Sequence, residues 1–337
     1  MKIKNNYQFI LFALTFSTII SACNNGSEIK TNDEQTTKSN ESVTYIKAPE
    51  FNSDTAFGFI STQVEFGPRV PNSKAQKQCE QFIVNTLKRY DLKITEQKTR
   101  LKAFDDNMLY CNNIMGSINP EMANRIFISA HWDTRPFADQ DKQDTDKPID
   151  GANDGGSGVG VMLEIARVLS NQKPNIGIDL IFFDCEDYGQ PRESKYPQMQ
   201  DSYCLGSQYW AKNKPLSYAP KYGINLDMVG NANATFTKEG TSVYYAYGVV
   251  EKVWQTAARA GYQQFFVDRN TSPITDDHAY VNELAKIPCI DIIHHDPTTP
   301  SNFPYTWHTH QDNLSNIDKG TLKAVGQTLL ELIYNEK

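Results

Sequence analysis

The sequence predicts an α/β fold, a mostly parallel, mixed central sheet flanked by helices. Three observations predict it. The unbroken apolar run Leu180–Phe183 and the mainly apolar run Ile126–Ala130 read as core strands. Segments of helical spacing alternate with such runs from about residue 107 onward, the pattern of a βαβ chain. Several runs end on acids or histidine, at the strand ends where open α/β sheets bind ligands.

Residues 1–22 stand apart from that fold. Lys2 and Lys4 form a basic start, and Phe9–Ile20 is apolar but too short for a comfortable membrane span. The segment ends Ile20-Ser21-Ala22-Cys23, which resembles a bacterial lipobox with Cys23 as the acylated first residue. The ordinary alternative is a secretory leader cut near Ala22. Either way export is expected, with the lipoprotein reading placing the chain on a bacterial membrane facing the periplasm. Residues 23–45 contain almost nothing apolar and read as a disordered tether. One catalytic domain over residues 46–337 is expected, acting as a monomer.

Composition narrows the partners. Of 337 residues, 33 are Lys or Arg and 40 are Asp or Glu. Removing Lys2 and Lys4 leaves 31 basic against 40 acidic groups, a net charge of -9, which argues against nucleic acid. Membrane contact is expected only through Cys23. Five further cysteines remain, at 79, 111, 185, 204 and 289. Their spacing is not that of a zinc ribbon, and buried free thiols are expected, although export would permit one disulfide.

Taken in order, helices are predicted over Asn52–Phe66 and Ser73–Tyr90, joined by the rigid turn Phe66–Pro71. Lys93–Ala103 and Met108–Ile118 alternate as strands, and Arg125–Ala130 is a core strand running into His131-Trp132-Asp133. An acidic loop over Pro136–Gly151 leads to Asn153-Asp154-Gly155-Gly156 and a helix over Val159–Leu169. The strand Leu180–Phe183 then delivers Asp184, Glu186 and Asp187. An irregular excursion over Gln190–Gln200 precedes a short helix at Leu205–Ala211. Beyond it lie a strand over Tyr222–Gly230 carrying Asp227, a helix over Val249–Gly261 and a strand over Gln263–Val267. Thr275–Leu284 starts a helix on Asp276-Asp277-His278, Ile287–Ile293 is a strand, and 296–310 is a proline-containing loop. Ile317–Tyr334 closes the chain as an amphipathic helix.

Acids crowded at the end of a buried strand repel one another and lose hydration, so a cation is expected beside them. His131, Asp133, Asp154, Glu186, Asp187, Asp227 and His308 supply carboxylate and imidazole ligands suited to zinc. Singly each has an ordinary explanation: Asp154 and Asp276 as helix caps, a histidine as a core or surface residue. Their coincidence at strand ends is the stronger signal.

Five runs carry a specific resemblance: Phe182–Asp187, Gly151–Gly158, Asn225–Gly230, Thr275–His278 and Phe303–Asn313. They resemble the zinc-aminopeptidase-like fold, and within it the animal-type, zinc-dependent glutaminyl-peptide cyclotransferases and their relatives in Gram-negative bacteria. Phe66-Gly67-Pro68-Arg69 matches the same family, and the likeness covers roughly residues 60–335. The resemblance implies that one zinc per chain is held by Asp154, Asp187 and His308. It places Glu186 as general acid/base, Asp227 and Asp276 as supporting acids, and Ile274, Phe303 and Trp307 on the substrate pocket. His131 matches a second-metal ligand of aminopeptidase relatives that serves only as a neighbour in the cyclases. The implied reaction converts the N-terminal glutamine of peptides or proteins to pyroglutamate with release of ammonia.

Two departures bear on the pocket. Asp187 stands where the animal enzymes carry Glu, and the loop over Gln190–Gln200 lacks their pocket-closing tryptophan, leaving the outer wall undefined. The rival readings are a two-zinc aminopeptidase using His131, Asp154 and Asp227, and a lipid-anchored binding protein without turnover.

Overall fold

A computed structural model of the chain describes residues 45–337. The leader, Cys23 and the tether lie outside the described residues, except for Tyr45, whose hydroxyl donates to Glu331 Oε2 at 2.7 Å.

The elements run in order as α1 Ser53–Glu65, α2 Lys74–Arg89, β1 Lys93–Lys102, β2 Met108–Ile118, β3 Arg125–His131, α3 Gly156–Asn171 and β4 Gly177–Phe183. Next come α4 Leu205–Asn213, β5 Gly223–Asp227, β6 Phe236–Lys238, α5 Gly240–Arg259, β7 Phe266–Asn270, α6 Asp277–Tyr280, β8 Cys289–Ile293 and α7 Lys319–Asn335. Asn52, Ser73 and Asp318 cap α1, α2 and α7 by accepting from backbone N–H groups.

Six strands form one mixed sheet in the order β1-β2-β4-β3-β5-β8. β3 pairs parallel with β4 and β5, and β5 parallel with β8, while β2 joins β4 antiparallel and β1 forms the edge. The expected parallel centre is therefore present, with an antiparallel hairpin on one side. Successive residues face opposite layers. Ile126, Ile128 and Ala130 pack with Leu180, Leu226 and the helices α1, α3, α5 and α7 in the larger core. Phe127, Ile181 and Phe183 pack against Trp210 on the other face.

Differences from the sequence reading fall in the C-terminal half. The predicted strand over Tyr222–Gly230 ends at Asp227, because Met228 takes a left-handed conformation (φ 49°). α5 starts at Gly240, nine residues before the expected start, and is broken at Ala246. The strand expected at Gln263–Val267 lies at Phe266–Asn270, where it pairs with the short β6 in a separate two-stranded sheet. β6 has three residues, too few for period-two patterning to reveal. Among the described residues the five cysteines are buried and free. No helix among them is long and apolar enough to cross a membrane.

Candidate active site

The parallel centre of the sheet sets the site. β3, β4 and β5 end side by side, so His131, the turn after Phe183, and Asp227 meet at the C-terminal ends of the central strands. Strand pairing alone does not aim side chains, and a set of buried carboxylates does that here.

Asp133 braces the turn after β4. Its two oxygens accept from the backbone N–H of Glu186 (3.0 Å) and of Asp187 (3.1 Å). Asp184 supports the same turn from behind, accepting from Asn112 N at 2.8 Å and Cys185 N at 2.9 Å, with Cys185 left-handed at φ 58°. Asp184 is thus a structural acid, and only Glu186 and Asp187 of the trio reach the cleft. Asp312 does the corresponding work for the next loop, accepting from Asn153 N (2.7 Å) and Asp154 N (3.0 Å). Burial and the nearby Asp154 push its carboxyl up to about 8. Gly155 follows at φ 78°, and a Cβ there would lie 2.7 Å from Asp133 O and 3.0 Å from the His131 ring, so no side chain fits.

Asp154, Asp187 and His308 converge. One donor atom from each lies within 4.8 Å of the others. His308 Nε2 is 3.3 Å from Asp187 Oδ1 and 3.8 Å from Asp154 Oδ2. His308 Nδ1 faces Asp139 Oδ1 at 3.1 Å, which turns Nε2 toward the acids. Asp187 Oδ2 is buried with no hydrogen-bond partner. Two carboxylates, one imidazole and an orphaned buried oxygen are the donors and the unmet need of a three-ligand zinc site with an open position, and they fit that ion.

Arg135 locks this set from beneath. It is fully buried, donates to Asp139 through Nε and Nη2 at 2.7 Å each, and donates to the Asp187 carbonyl at 3.0 Å. Its guanidinium also lies over the Tyr203 ring at 5.2 Å.

His131 joins a second group. Its Nε2 is 3.0 Å from Asp154 Oδ1 and 3.3 Å from Asp227 Oδ1, so Asp154 is common to both clusters. Burial opposes a charge on His131, but Asp133, Asp154 and Asp227 outweigh it and hold its pKa well above the ordinary value. Asp227 is pushed up to about 7, by burial first and by Asp154 second.

Glu186 stands beside the trio, with 12% of its side chain exposed. Burial raises its carboxyl well above the usual range, and Asp187, Asp276 and Asp277 add to the rise. The Cys204 thiol lies 3.2 Å from Glu186 Oε1, and one oxygen of Asp276 lies within 4.8 Å of both groups. Asp276 does cap α6, accepting from Asp277 N at 2.5 Å, while its other oxygen accepts from Asn225 Nδ2 at 2.7 Å. The capping and functional explanations of Asp276 are therefore compatible.

A cleft of about 340 Å³ opens over these groups, lined by Ile274, Phe303, Trp307 and Tyr203 among others. Trp307 stacks on the His308 ring at 4.0 Å, and Phe303 lies 4.9 Å from Trp307. The outer wall that the sequence left undefined is Tyr203, held against Gly189, where a Cβ would lie 2.2 Å from its ring. As site residues, Tyr203, Cys204, Arg135 and Asp139 escaped the sequence reading, in which Cys204 is only a buried thiol. The first two follow an aperiodic loop and Asp139 sits in an acidic one. Arg135, two residues past a strand-end acid, was the one readable sign.

Residues 113–333 match the sequence pattern of peptidase family M28. The chain belongs to that family. Among solved structures, Bacteroides thetaiotaomicron glutaminyl cyclase superposes with a TM-score of 0.84 at 49% identity, covering 86% of this chain and 100% of that one. Bacillus subtilis aminopeptidase YwaD is 29% identical over 72% of this chain and 48% of its own length. The glutaminyl-peptide cyclotransferase of Gloydius blomhoffii is 27% identical over 65% of this chain and 63% of its own length. The chain thus spans about half to just under two thirds of these two relatives.

Proposed function

We propose that this M28 member is a glutaminyl-peptide cyclotransferase with one zinc per chain. The observation that carries the reading is a carboxylate, Glu186, that lies outside the Asp154–Asp187–His308 set and lines the same aromatic-walled cleft. The named activities of the Bacteroides and Gloydius relatives support it.

Asp154, Asp187 and His308 would hold the zinc. Bound there, it supplies a Lewis acid for the side-chain carbonyl of an N-terminal glutamine. The substrate's own α-amine is the nucleophile, so the protein's work is positioning and proton transfer. The amine nitrogen bonds to the side-chain amide carbon, the carbon–nitrogen bond to the departing amide breaks, and ammonia leaves. Glu186 accepts the proton shed by the amine and returns it to the departing nitrogen. Its raised pKa suits both tasks. Asp276 and Asp227 orient the amide and amine hydrogens, and Trp307, Phe303 and Ile274 close around the forming five-membered ring.

The test is incubation with a short Gln-initiated peptide. Loss of one ammonia by mass spectrometry, suppressed by a chelator, is expected; an unchanged peptide would end the reading. A second reading, a two-zinc aminopeptidase, is favoured by the His131–Asp154–Asp227 cluster and by the YwaD likeness. Two zincs per chain with release of free amino acids would select it. In the cell the enzyme is read as a lipid-anchored, exported monomer.

A further inference from the structure

A second groove, of about 410 Å³, adjoins the catalytic cleft. Ile274 and Thr275 line both, so the two spaces share a wall. That wall is tied to the start of α5. Glu239 accepts from Ile274 N at 3.1 Å and Thr241 N at 2.7 Å, and the Thr241 hydroxyl donates to Ile274 O at 2.9 Å. One turn beyond Thr241, Tyr244 and Tyr245 face the groove with their rings perpendicular and 4.8 Å apart. Tyr244 is 80% exposed, and Tyr245 is the aromatic ring it packs on. The break at Ala246 (φ -144°, ψ 39°) separates this first turn and a half from the rest of α5. Tyr280, whose hydroxyl donates to Asp201 Oδ1 at 3.0 Å, and Pro273 also line the groove. The charged groups lining the groove, Asp201 and Glu283, are both acidic.

Cyclisation uses only the first residue of a substrate, so the rest of the peptide must leave the cleft past its wall. Extended residues span about 3.5 Å each, which brings the second and third within reach of an adjoining groove. Rigid aromatic rings bind apolar side chains at small entropic cost.

We propose that this groove is a subsite for the second and third residues of the peptide, selecting aromatic side chains and disfavouring acidic ones. The assignment deepens the cyclotransferase reading and rests on it.

The experiment compares kcat/KM for Gln-Phe-Ala-amide, Gln-Ala-Phe-amide and Gln-Ala-Ala-amide. At least one Phe peptide should exceed the Ala peptide by roughly three- to tenfold, the range of one aromatic contact. Tyr244→Ala should bring that ratio close to one, while Tyr244→Phe, which keeps the ring, should retain it. No Phe preference, or one that survives Tyr244→Ala, overturns the subsite while leaving the cyclotransferase reading intact. No cyclisation of any of the three overturns the reading itself and the subsite with it.

Discussion

At the residue scale, Glu186 and its surroundings separate two roles that carboxylates can take. Asp154 and Asp187 point at His308, whereas Glu186 points at Cys204 and Asp276. Glu186→Gln keeps the shape and removes the proton acceptor. Turnover should fall by at least about 100-fold, the contribution of general acid–base catalysis, with zinc content by metal analysis unchanged. Arg135 and Asp139 would act through His308, a ligand in the proposed zinc site. Asp139→Asn should weaken zinc affinity by about 10–100-fold, measured by competition with a chromogenic chelator, as expected when a ligand histidine loses its carboxylate. An unaltered affinity would mean that Trp307 stacking alone orients the ring.

At the element scale, Glu239 joins the start of α5 to the wall of the cleft. Besides Thr241 and Ile274 it accepts from Ser242 N, and its Oε1 lies 3.1 Å from His278 Nε2. Burial works against its charge, yet the His278 and Ser242 contacts outweigh burial and hold its pKa at about 2. Because that value lies below the unfolded one, the stabilisation is present above about pH 4.5 and is lost as pH falls toward 2. The gap corresponds to about 3 kcal/mol. In urea unfolding, Glu239→Gln should therefore cost most near pH 6, with the difference from the parent protein shrinking at pH 3. A difference independent of pH would assign the loss to packing instead.

At the scale of the whole molecule, the sheet gathers distant segments at the C-terminal ends of its central strands while buried acids hold the loops. Such a crowd of buried carboxylates opposes folding unless a cation offsets them. Chelation should accordingly lower the thermal unfolding temperature, with zinc restoring it, since a ligand bound only by the folded state stabilises it. The proposed lipid anchor makes a separate expectation. Cys23→Ser should move the protein from the membrane fraction to the soluble one, and continued sedimentation with membranes would remove the lipid reading.

Much of the fold could be read directly because strands buried on both faces leave short apolar runs, and Ile126–Ile128 in β3 and Leu180–Phe183 in β4 are such runs. The long helices announced themselves through periodicity and caps. β6 and the early start of α5 did not, since three residues carry no period and Tyr244, Tyr245 and Tyr247 make an exposed turn look unlike a helix. The site divides in the same way. Glu186, Asp187 and Asp227 lie at or just beyond strand ends, a position that local pattern reveals. Asp154 and His308 are brought together across more than 150 residues, and local pattern holds no such information.

By itself, then, the sequence determined which residue types stood available at the ends of the central strands, because hydrophobic runs and the charges that interrupt them are local properties. Only the tertiary structure decided which acids became braces and which became donors. Asp133, Asp184 and Asp312 spend their oxygens on backbone N–H groups, while Asp154, Asp187 and Glu186 are left facing the cleft. The physical reason is that a carboxylate's role follows from which hydrogen-bond donors surround it after folding, and those donors come from remote parts of the chain.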